Sequence, residues 1–159
     1  VCSKPTSSGR LCDNCKTDQR LKNSDRRAIR RQLGQCVYCG SNQAIKNKCT
    51  KCFLKDVAHF HLGKRKLYHQ LIEVFERQKG ICPYTSERLV LGENASLDHK
   101  IPKSRGGTSD LSNLQWVYKG RFDVNWMKGM LLQQEFYQAI VQIYKVITNN
   151  VVANDQNES

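Results

Sequence analysis

The stretch LDHKIPKSRGGTSDLSNLQWVYKGRFDVNWMK, residues 97–128, decides the fold that we expect for this chain. Alternating apolar and polar residues over 95–101 predict a strand, which Pro102 ends. A polar, glycine-rich loop follows, and residues 114–118 predict a second strand. Residues 123–132 then predict a helix with Asn125 in its first turn. The expected fold is a small α+β domain built on the order strand, loop, strand, helix.

Five short sequence elements follow one another in this stretch. They are Asp98-His99, Ile101-Pro102, Gly106-Gly107, Asn113-Leu114, and Asn125 with Lys128 three residues later. Their order resembles the HNH nuclease family, whose catalytic unit is the ββα-metal fold. The resemblance covers about fifty residues, 81–131, and the gap between the two asparagines is a few residues longer than is usual in the family. It implies an endonuclease that hydrolyses DNA phosphodiester bonds and nicks one strand per active site.

The resemblance also implies a role for each polar residue. His99 is the expected general base, because a neutral imidazole can take a proton near pH 7. Asp98 is a hard oxygen ligand for Mg²⁺ or Mn²⁺, and Asn125 is the expected second ligand, with Asp123 as its alternative. Asn113 is expected to hold the loop and orient the histidine. Adjacent strand residues face opposite sides, so Asp98 and His99 share a site only if the strand twists or bulges there.

Simpler explanations exist for the same residues. A histidine near a strand end is usually a surface residue, and an asparagine beside a glycine-rich loop usually bonds a turn, as Asn113 would. The whole chain could therefore be a non-catalytic nucleic-acid-binding zinc module that carries an HNH fold. It could also be the nuclease part of a larger restriction, homing or RNA-guided defence effector, with an RNA guide or a further protein region as partner.

Cysteines dominate the first third of the chain. Cys36-x-x-Cys39 and Cys49-x-x-Cys52 are separated by nine residues, and two such pairs can bring four thiolates to one tetrahedral zinc ion. The paired spacing favours metal over disulfides, and with it a reducing, cytoplasmic compartment. We therefore predict a structural zinc site in a treble-clef or knuckle-like module.

A second group of cysteines repeats this pattern. Cys2, Cys12 and Cys15 match the last three cysteines of the pairs at a constant offset of 37 residues. They predict an incomplete zinc unit whose fourth ligand would lie three residues before Cys2, in a longer protein. His59 and His61 are considered as replacement ligands, and three thiols without metal remain the alternative.

The net charge of +12 lies entirely in the front part of the chain. Residues 1–66 carry 16 Lys and Arg against 4 Asp and Glu, whereas 67–159 carry ten of each. Such asymmetry indicates a polyanionic partner, and DNA is the natural one beside a phosphodiester site; a solvated basic tail is the alternative. The predicted phosphate contacts are Arg26, Arg27, Arg30 and Arg31 on a basic helix over 16–33, and Lys103, Arg105 and Lys128 near the site.

The predicted organisation follows from these features. It comprises a basic zinc module (1–55), a basic linker (56–66), a nuclease domain (67–150) and a disordered tail (151–159). In the basic helix, Ser24 is the expected cap and Gly34 the stop. No run approaches twenty apolar residues, so no membrane-spanning segment is expected. The sequence makes no prediction of oligomeric state.

Three further elements are predicted inside the nuclease domain. An apolar stripe over 67–75 predicts a core-facing helix that Gly80 closes, and a hairpin is expected between 88–91 and 95–101. An amphipathic helix over 132–147 should end at Asn149-Asn150. Thr85 stands where many HNH proteins carry a second cysteine, so this domain should lack zinc and Cys82 should be a buried thiol.

Overall fold

The structure, a computed structural model, describes residues 11–155. Within this range the chain forms five helices and two small antiparallel sheets of two strands each. The order is α1 (Asp13–Gln32), β1 (Ala44–Ile45), β2 (Lys48–Cys49), α2 (Thr50–Leu62), α3 (Tyr68–Arg77), β3 (Ala95–His99), β4 (Leu114–Tyr118), α4 (Val124–Lys128) and α5 (Gln133–Asp155). The expected small α+β class is confirmed.

The strand, loop, strand, helix order predicted for residues 97–128 is present as β3, β4 and α4. β3 and β4 are antiparallel, with Asp98 opposite Gln115 and His99 opposite Leu114. The ladder stops at His99 because the side chain of Asn113 takes over the pairing. Its Oδ1 accepts from the backbone N–H of Ile101 at 2.9 Å and its Nδ2 donates to the Ile101 carbonyl at 3.0 Å.

The predicted hairpin between 88–91 and 95–101 is wrong. Arg88 forms an isolated bridge with Ile81 instead, and β3 pairs with β4. The side chain of Asn94 closes residues 88–94 into a turn, because its Oδ1 accepts from the N–H of Val90 at 2.6 Å and its Nδ2 donates to the Arg88 carbonyl at 3.1 Å.

The helix predicted over 123–132 is shorter than expected. Asp123 is its N-cap, and the carboxylate accepts from the backbone N–H of Trp126 at 3.2 Å. The helix ends at Lys128 because Gly129 takes a positive φ of 53°. α4 is therefore only five residues long.

Two predictions in the front part of the chain are also corrected. α1 begins at Asp13 with Cys12 as its N-cap, so Ser24 is an exposed mid-helix residue and not the cap. The helix does end just before Gly34, whose φ is +64°. The linker expected at 56–66 is wrong for residues 56–62, which belong to α2 and include the fully buried Ala58.

Among the described residues, one hydrophobic core joins α2, α3 and the β3–β4 sheet. Its centre is Trp116, whose indole N–H donates to the Leu71 carbonyl at 2.9 Å and whose ring lies 6.1 Å from that of Phe53 on α2. The core-facing stripe of α3 is confirmed, since Leu71 and Val74 are buried. Cys82 is a buried thiol as predicted, and its sulfur accepts from the N–H of Tyr118 at 3.3 Å.

α5 packs on this core only near its start. Phe136 is buried, whereas Ile143 and Ile147 on the same stripe are each 56% exposed. The predicted end at 149–150 is wrong, because the helix continues to Asp155. The predicted disordered tail is thus helical as far as residue 155, and its last four residues lie outside the described range. None of the helices in the described range is long and apolar enough to cross a membrane.

Candidate functional site

The four paired cysteines meet between the loop before β1 and the first turn of α2. The sulfur atoms of Cys36, Cys39, Cys49 and Cys52 all lie within 4.8 Å of one another, and those of Cys39 and Cys49 are 3.6 Å apart. Tetrahedral zinc with Zn–S bonds of about 2.3 Å separates its sulfurs by about 3.8 Å. The cluster, called the cysteine cluster below, therefore has the composition and spacing to hold one zinc ion.

An arginine of α1 supports the turn between the first two cysteines. Arg30 donates from Nη1 to the carbonyls of Val37 at 3.3 Å and Tyr38 at 2.9 Å. A side chain on Gly40, whose φ is +81°, would approach the Arg30 guanidinium to 3.2 Å. Arg30 is thus engaged at the cysteine cluster, whereas the three other predicted phosphate contacts on α1, Arg26, Arg27 and Arg31, are exposed.

The pKa values of three thiols of the cluster, Cys36, Cys49 and Cys52, are shifted in opposite directions. Burial raises the pKa of Cys36, but backbone N–H groups of Cys39, Cys49 and Tyr38 outweigh it and bring the pKa to about 6. Burial raises the pKa of Cys49, and burial together with the neighbouring sulfurs raises that of Cys52. A bound divalent cation removes this conflict, because it favours every thiolate at once.

The 37-residue repeat of the sequence has a structural counterpart. Cys12 caps α1, and its sulfur accepts from the N–H of Cys15 at 3.4 Å; Cys49 occupies the same position on α2, with Cys52 in the first turn. Cys2 lies outside the described residues. Within the described range, the cysteine cluster is the only group of three or more potential metal-binding side chains, so His59 and His61 are not brought to this first unit.

A second polar group lies at the end of β3. Asp98 is 3% exposed, and its carboxylate accepts from Gln115 Nε2 at 2.9 Å and from Lys128 Nζ at 3.3 Å. Lys128 Nζ also donates to the backbone carbonyl of His99 at 2.8 Å. Lys128 is itself 1% exposed. The predicted phosphate contact through Lys128 is therefore wrong, because its ammonium group is buried against Asp98.

His99 lies beside the buried pair and is partly exposed. Its Nε2 is 3.4 Å from Ser109 Oγ, and its ring centroid is 5.3 Å from that of His61. Desolvation, reinforced by the charge of Lys103, lowers the pKa of His99, while Asp98 opposes the shift. The imidazole is therefore neutral at pH 7, which is the form that accepts a proton.

The two candidates for the second metal ligand are held differently. Asn125 reaches β3, where its Nδ2 donates to the Leu97 carbonyl at 3.2 Å and leaves Oδ1 for a ligand. Asp123 caps α4 and pairs with Lys119 at 3.3 Å. The geometry therefore favours Asn125 over Asp123.

Asn113 holds the loop between β3 and β4. Besides its two bonds to Ile101, its Nδ2 donates to the Thr108 carbonyl at 2.8 Å. A Cβ on Gly107 would lie 1.8 Å from the Ile101 carbonyl oxygen, so only glycine fits there. The loop-holding role predicted for Asn113 agrees with these bonds.

Sequence reasoning missed several side chains of the site. His61, at the end of α2, lies against His99 although 38 residues separate them, and no spacing rule connects the two. Burial lowers the pKa of His61 to about 4. Gln115 links Asp98 to the hydroxyl of Tyr84, at 2.9 Å to each. Of the predicted phosphate contacts here, Lys103 is exposed, whereas Arg105 pairs with Glu135.

Comparison with known proteins identifies no relative of this chain. No protein-family model matches this chain, and no curated protein or solved structure matches it either. The site must therefore be interpreted from its own residues.

Proposed function

We propose that this protein is a metal-dependent HNH endonuclease that hydrolyses DNA phosphodiester bonds and carries a structural zinc ion in the cysteine cluster. The observation that carries the proposal is the attachment of α4 to β3 around Asp98 and His99. Asn125 and Lys128 make this attachment, through the Leu97 carbonyl, the Asp98 carboxylate and the His99 carbonyl. One acid, one neutral histidine and one amide are thereby held on two adjacent elements.

His99 performs the proton transfer in this mechanism. Its imidazole is partly exposed and neutral at pH 7, so it takes a proton from the water that attacks phosphorus. Ser109, 3.4 Å from Nε2, fixes the orientation of the ring. The backbone carbonyl of His99 accepts from Lys128, so both the ring and the backbone of this residue are held.

Asp98 and Asn125 are the residues that would hold Mg²⁺. Magnesium in such sites takes one or two protein oxygens and fills its other positions with water and phosphate oxygens. The two Asp98 oxygens each accept one hydrogen bond and retain a second lone pair, and Asn125 offers Oδ1. The donor set fits a hard divalent cation, which would act as a Lewis acid on the scissile phosphate.

Exposed cations supply the proposed affinity for DNA. Arg26, Arg27 and Arg31 lie on the surface of α1, and Lys103 is exposed four residues after His99 in the chain. Contacts of this kind bind phosphates and fix the position of the duplex without specifying sequence. These contacts would not give sequence specificity. An RNA guide or a further protein region would have to supply it.

One observation favours the non-catalytic alternative. Lys128 already neutralises Asp98 inside the protein, with both side chains at most 4% exposed. A carboxylate paired in this way is satisfied without metal, as it would be in a nucleic-acid-binding module that has lost its chemistry. The two functions differ in whether Mg²⁺ binds at Asp98.

The test is nicking of supercoiled plasmid by the full chain with and without Mg²⁺. The proposal expects open-circle product with Mg²⁺ or Mn²⁺ and none with EDTA. Asp98→Ala and Asn125→Ala should each lose the product or require more Mg²⁺, whereas Asp123→Ala should retain the wild-type requirement. Metal-independent binding with no nicking by wild type would establish the non-catalytic alternative.

A further inference from the structure

An exposed aromatic ring stands next to the proposed active site. Phe60, in the last turn of α2, is 82% exposed. Its ring meets that of His61 edge-on, with centroids 5.0 Å apart and planes at 72°. His61 in turn lies 5.3 Å from His99, with planes at 34°. Two rings, Phe60 and His61, therefore form a series that leads from the solvent to His99, the proposed general base.

His61 is held in this series by packing and not by hydrogen bonding. Its Nδ1 is buried and has no hydrogen-bond partner among the described residues. A neutral imidazole packed between Phe60 and His99 behaves as part of an aromatic surface. The Phe60 ring consequently rests on a fixed neighbour, while its outer face is open to solvent.

The surroundings of these rings are cationic. Lys103, four residues after His99 in the chain, is exposed. Lys64 follows α2 after Gly63 and is exposed. The acid nearest in the chain, Asp56, is already paired with Arg65 at 2.8 Å and with Lys48 at 2.7 Å. Sites for single-stranded nucleic acid combine exposed aromatic rings and unpaired cations in this way.

We infer that Phe60 and His61 form a stacking surface for an unpaired nucleobase beside the scissile phosphate. In a duplex both faces of a base are covered by its neighbours, so a protein ring can stack only on a base that is single-stranded or displaced from the helix. The inference rests on the proposed nuclease function and adds to it a preference for nucleic acid that has an unpaired nucleotide at the cut.

The test compares kcat/KM of the full chain on three DNA substrates of one sequence. They are a single strand, a perfect duplex, and a duplex with a short unpaired bubble. Phe60→Ala should lower kcat/KM on the two unpaired substrates by about 5-fold to 150-fold, the range known for removing a base-stacking ring, and should leave the duplex unchanged. Phe60→Trp should retain the wild-type preference, because it keeps the ring.

Two neighbouring variants act as controls. His59→Ala removes an exposed ring from the preceding position of α2, and Trp126→Ala removes a ring that is 83% exposed on α4. Both should retain the preference for unpaired substrates. Wild-type preference in Phe60→Ala, an equal loss on all three substrates, or loss of the preference in Trp126→Ala alone would each overturn the inference.

A binding measurement separates this inference from the proposed function. An oligonucleotide that carries 2-aminopurine at an unpaired position should lose fluorescence when wild type binds it, and should lose much less with Phe60→Ala. If wild type shows the quenching but no Mg²⁺-dependent cleavage, the nuclease proposal fails and the stacking surface stands. Cleavage without any Phe60-dependent quenching contradicts the stacking surface and leaves the nuclease proposal intact.

Discussion

Lys128 is the residue whose surroundings differ most from its expected role. A lysine in a basic protein usually faces solvent, yet its ammonium is buried between the Asp98 carboxylate and the His99 carbonyl. Removing one partner of a buried ion pair leaves the other charge unpaired in a place that water does not reach. The stability of the site therefore depends on both residues together.

This pairing gives a prediction at the residue scale. Lys128→Met should lower the free energy of unfolding by about 3–5 kcal/mol, because Asp98 is left buried without a counter-charge. The double variant Asp98→Asn with Lys128→Met should recover part of that loss. Urea unfolding measures the free energy of unfolding of the single and the double variant. If the double variant is less stable than Lys128→Met alone, the buried-charge explanation is wrong.

The single variant Lys128→Met also tests metal binding at Asp98. Mg²⁺ should stabilise Lys128→Met more than it stabilises wild type, since the cation then replaces the missing ammonium beside Asp98. A midpoint of unfolding that Mg²⁺ leaves unchanged in both proteins would show that Asp98 is not a metal ligand.

α2 is the element that connects the two polar sites. Its N-cap, Cys49, belongs to the cysteine cluster, its Leu54 and Ala58 are buried in the core, and His61 in its last turn lies against His99. The cysteine cluster is therefore attached to the framework of the proposed active site by a helix of 13 residues. By contrast, the repeated pair Cys12 and Cys15 lies at the far end of α1, which has no buried residues.

Loss of zinc should consequently impair nicking as well as stability. Cys36→Ser should remove one zinc ion per chain and, with it, a large part of a binding free energy on the order of 10 kcal/mol that is coupled to folding. Nicking activity and the midpoint of thermal unfolding should both fall. Zinc content by elemental analysis, plasmid nicking and calorimetry check the three outcomes.

Cys15→Ser is the matched control for that experiment. It makes the same substitution in the first turn of α1, at the position that corresponds to Cys52, and it should leave the nicking rate nearly unchanged. A Cys36→Ser protein that has lost its zinc but nicks at the wild-type rate would show that the cluster and the site are independent.

At the scale of the whole molecule, part of the excess positive charge lies on the exposed surface of α1. All twelve net positive charges lie in residues 1–66, and Arg26, Arg27 and Arg31 stand exposed on α1. Because arginines of this kind displace counterions from DNA, each lost phosphate contact should flatten the plot of log affinity against log salt by about 0.9.

The triple variant Arg26→Gln, Arg27→Gln and Arg31→Gln should therefore show a shallower salt dependence and weaker binding on every duplex sequence. Lys145→Gln, which removes one exposed charge on α5, should keep the wild-type slope. Fluorescence anisotropy at several salt concentrations gives both slopes. A slope unchanged in the triple variant would mean that α1 faces a different partner.

Local signals in the sequence predicted the parts of the fold that local forces determine. The β3 and β4 strands follow from alternation and from Pro102, and the cysteine cluster follows from two Cys-x-x-Cys spacings. The extent of α2 was missed because lysines and histidines over 55–66 hid the helical spacing of its buried Leu54 and Ala58.

Contacts between distant residues could not be predicted in the same way. β3 pairs with β4 across the loop 100–113 and not with the nearer residues 88–91, and the burial of Lys128 depends on a carboxylate 30 residues away. His61 meets His99 only through the packing of α2 on the core. Each of these is set by tertiary packing, which overrides the local preference of the residues involved.

The most direct test of the central claim is plasmid nicking by His99→Ala in Mg²⁺. Loss of a general base typically slows a reaction by about a hundredfold to ten-thousandfold, so nicking should fall at least a hundredfold while zinc content, unfolding midpoint and DNA affinity stay near wild type. His59→Ala, an exposed histidine on α2, should nick normally. Wild-type nicking by His99→Ala would contradict the claim that residues 97–128 form the active site.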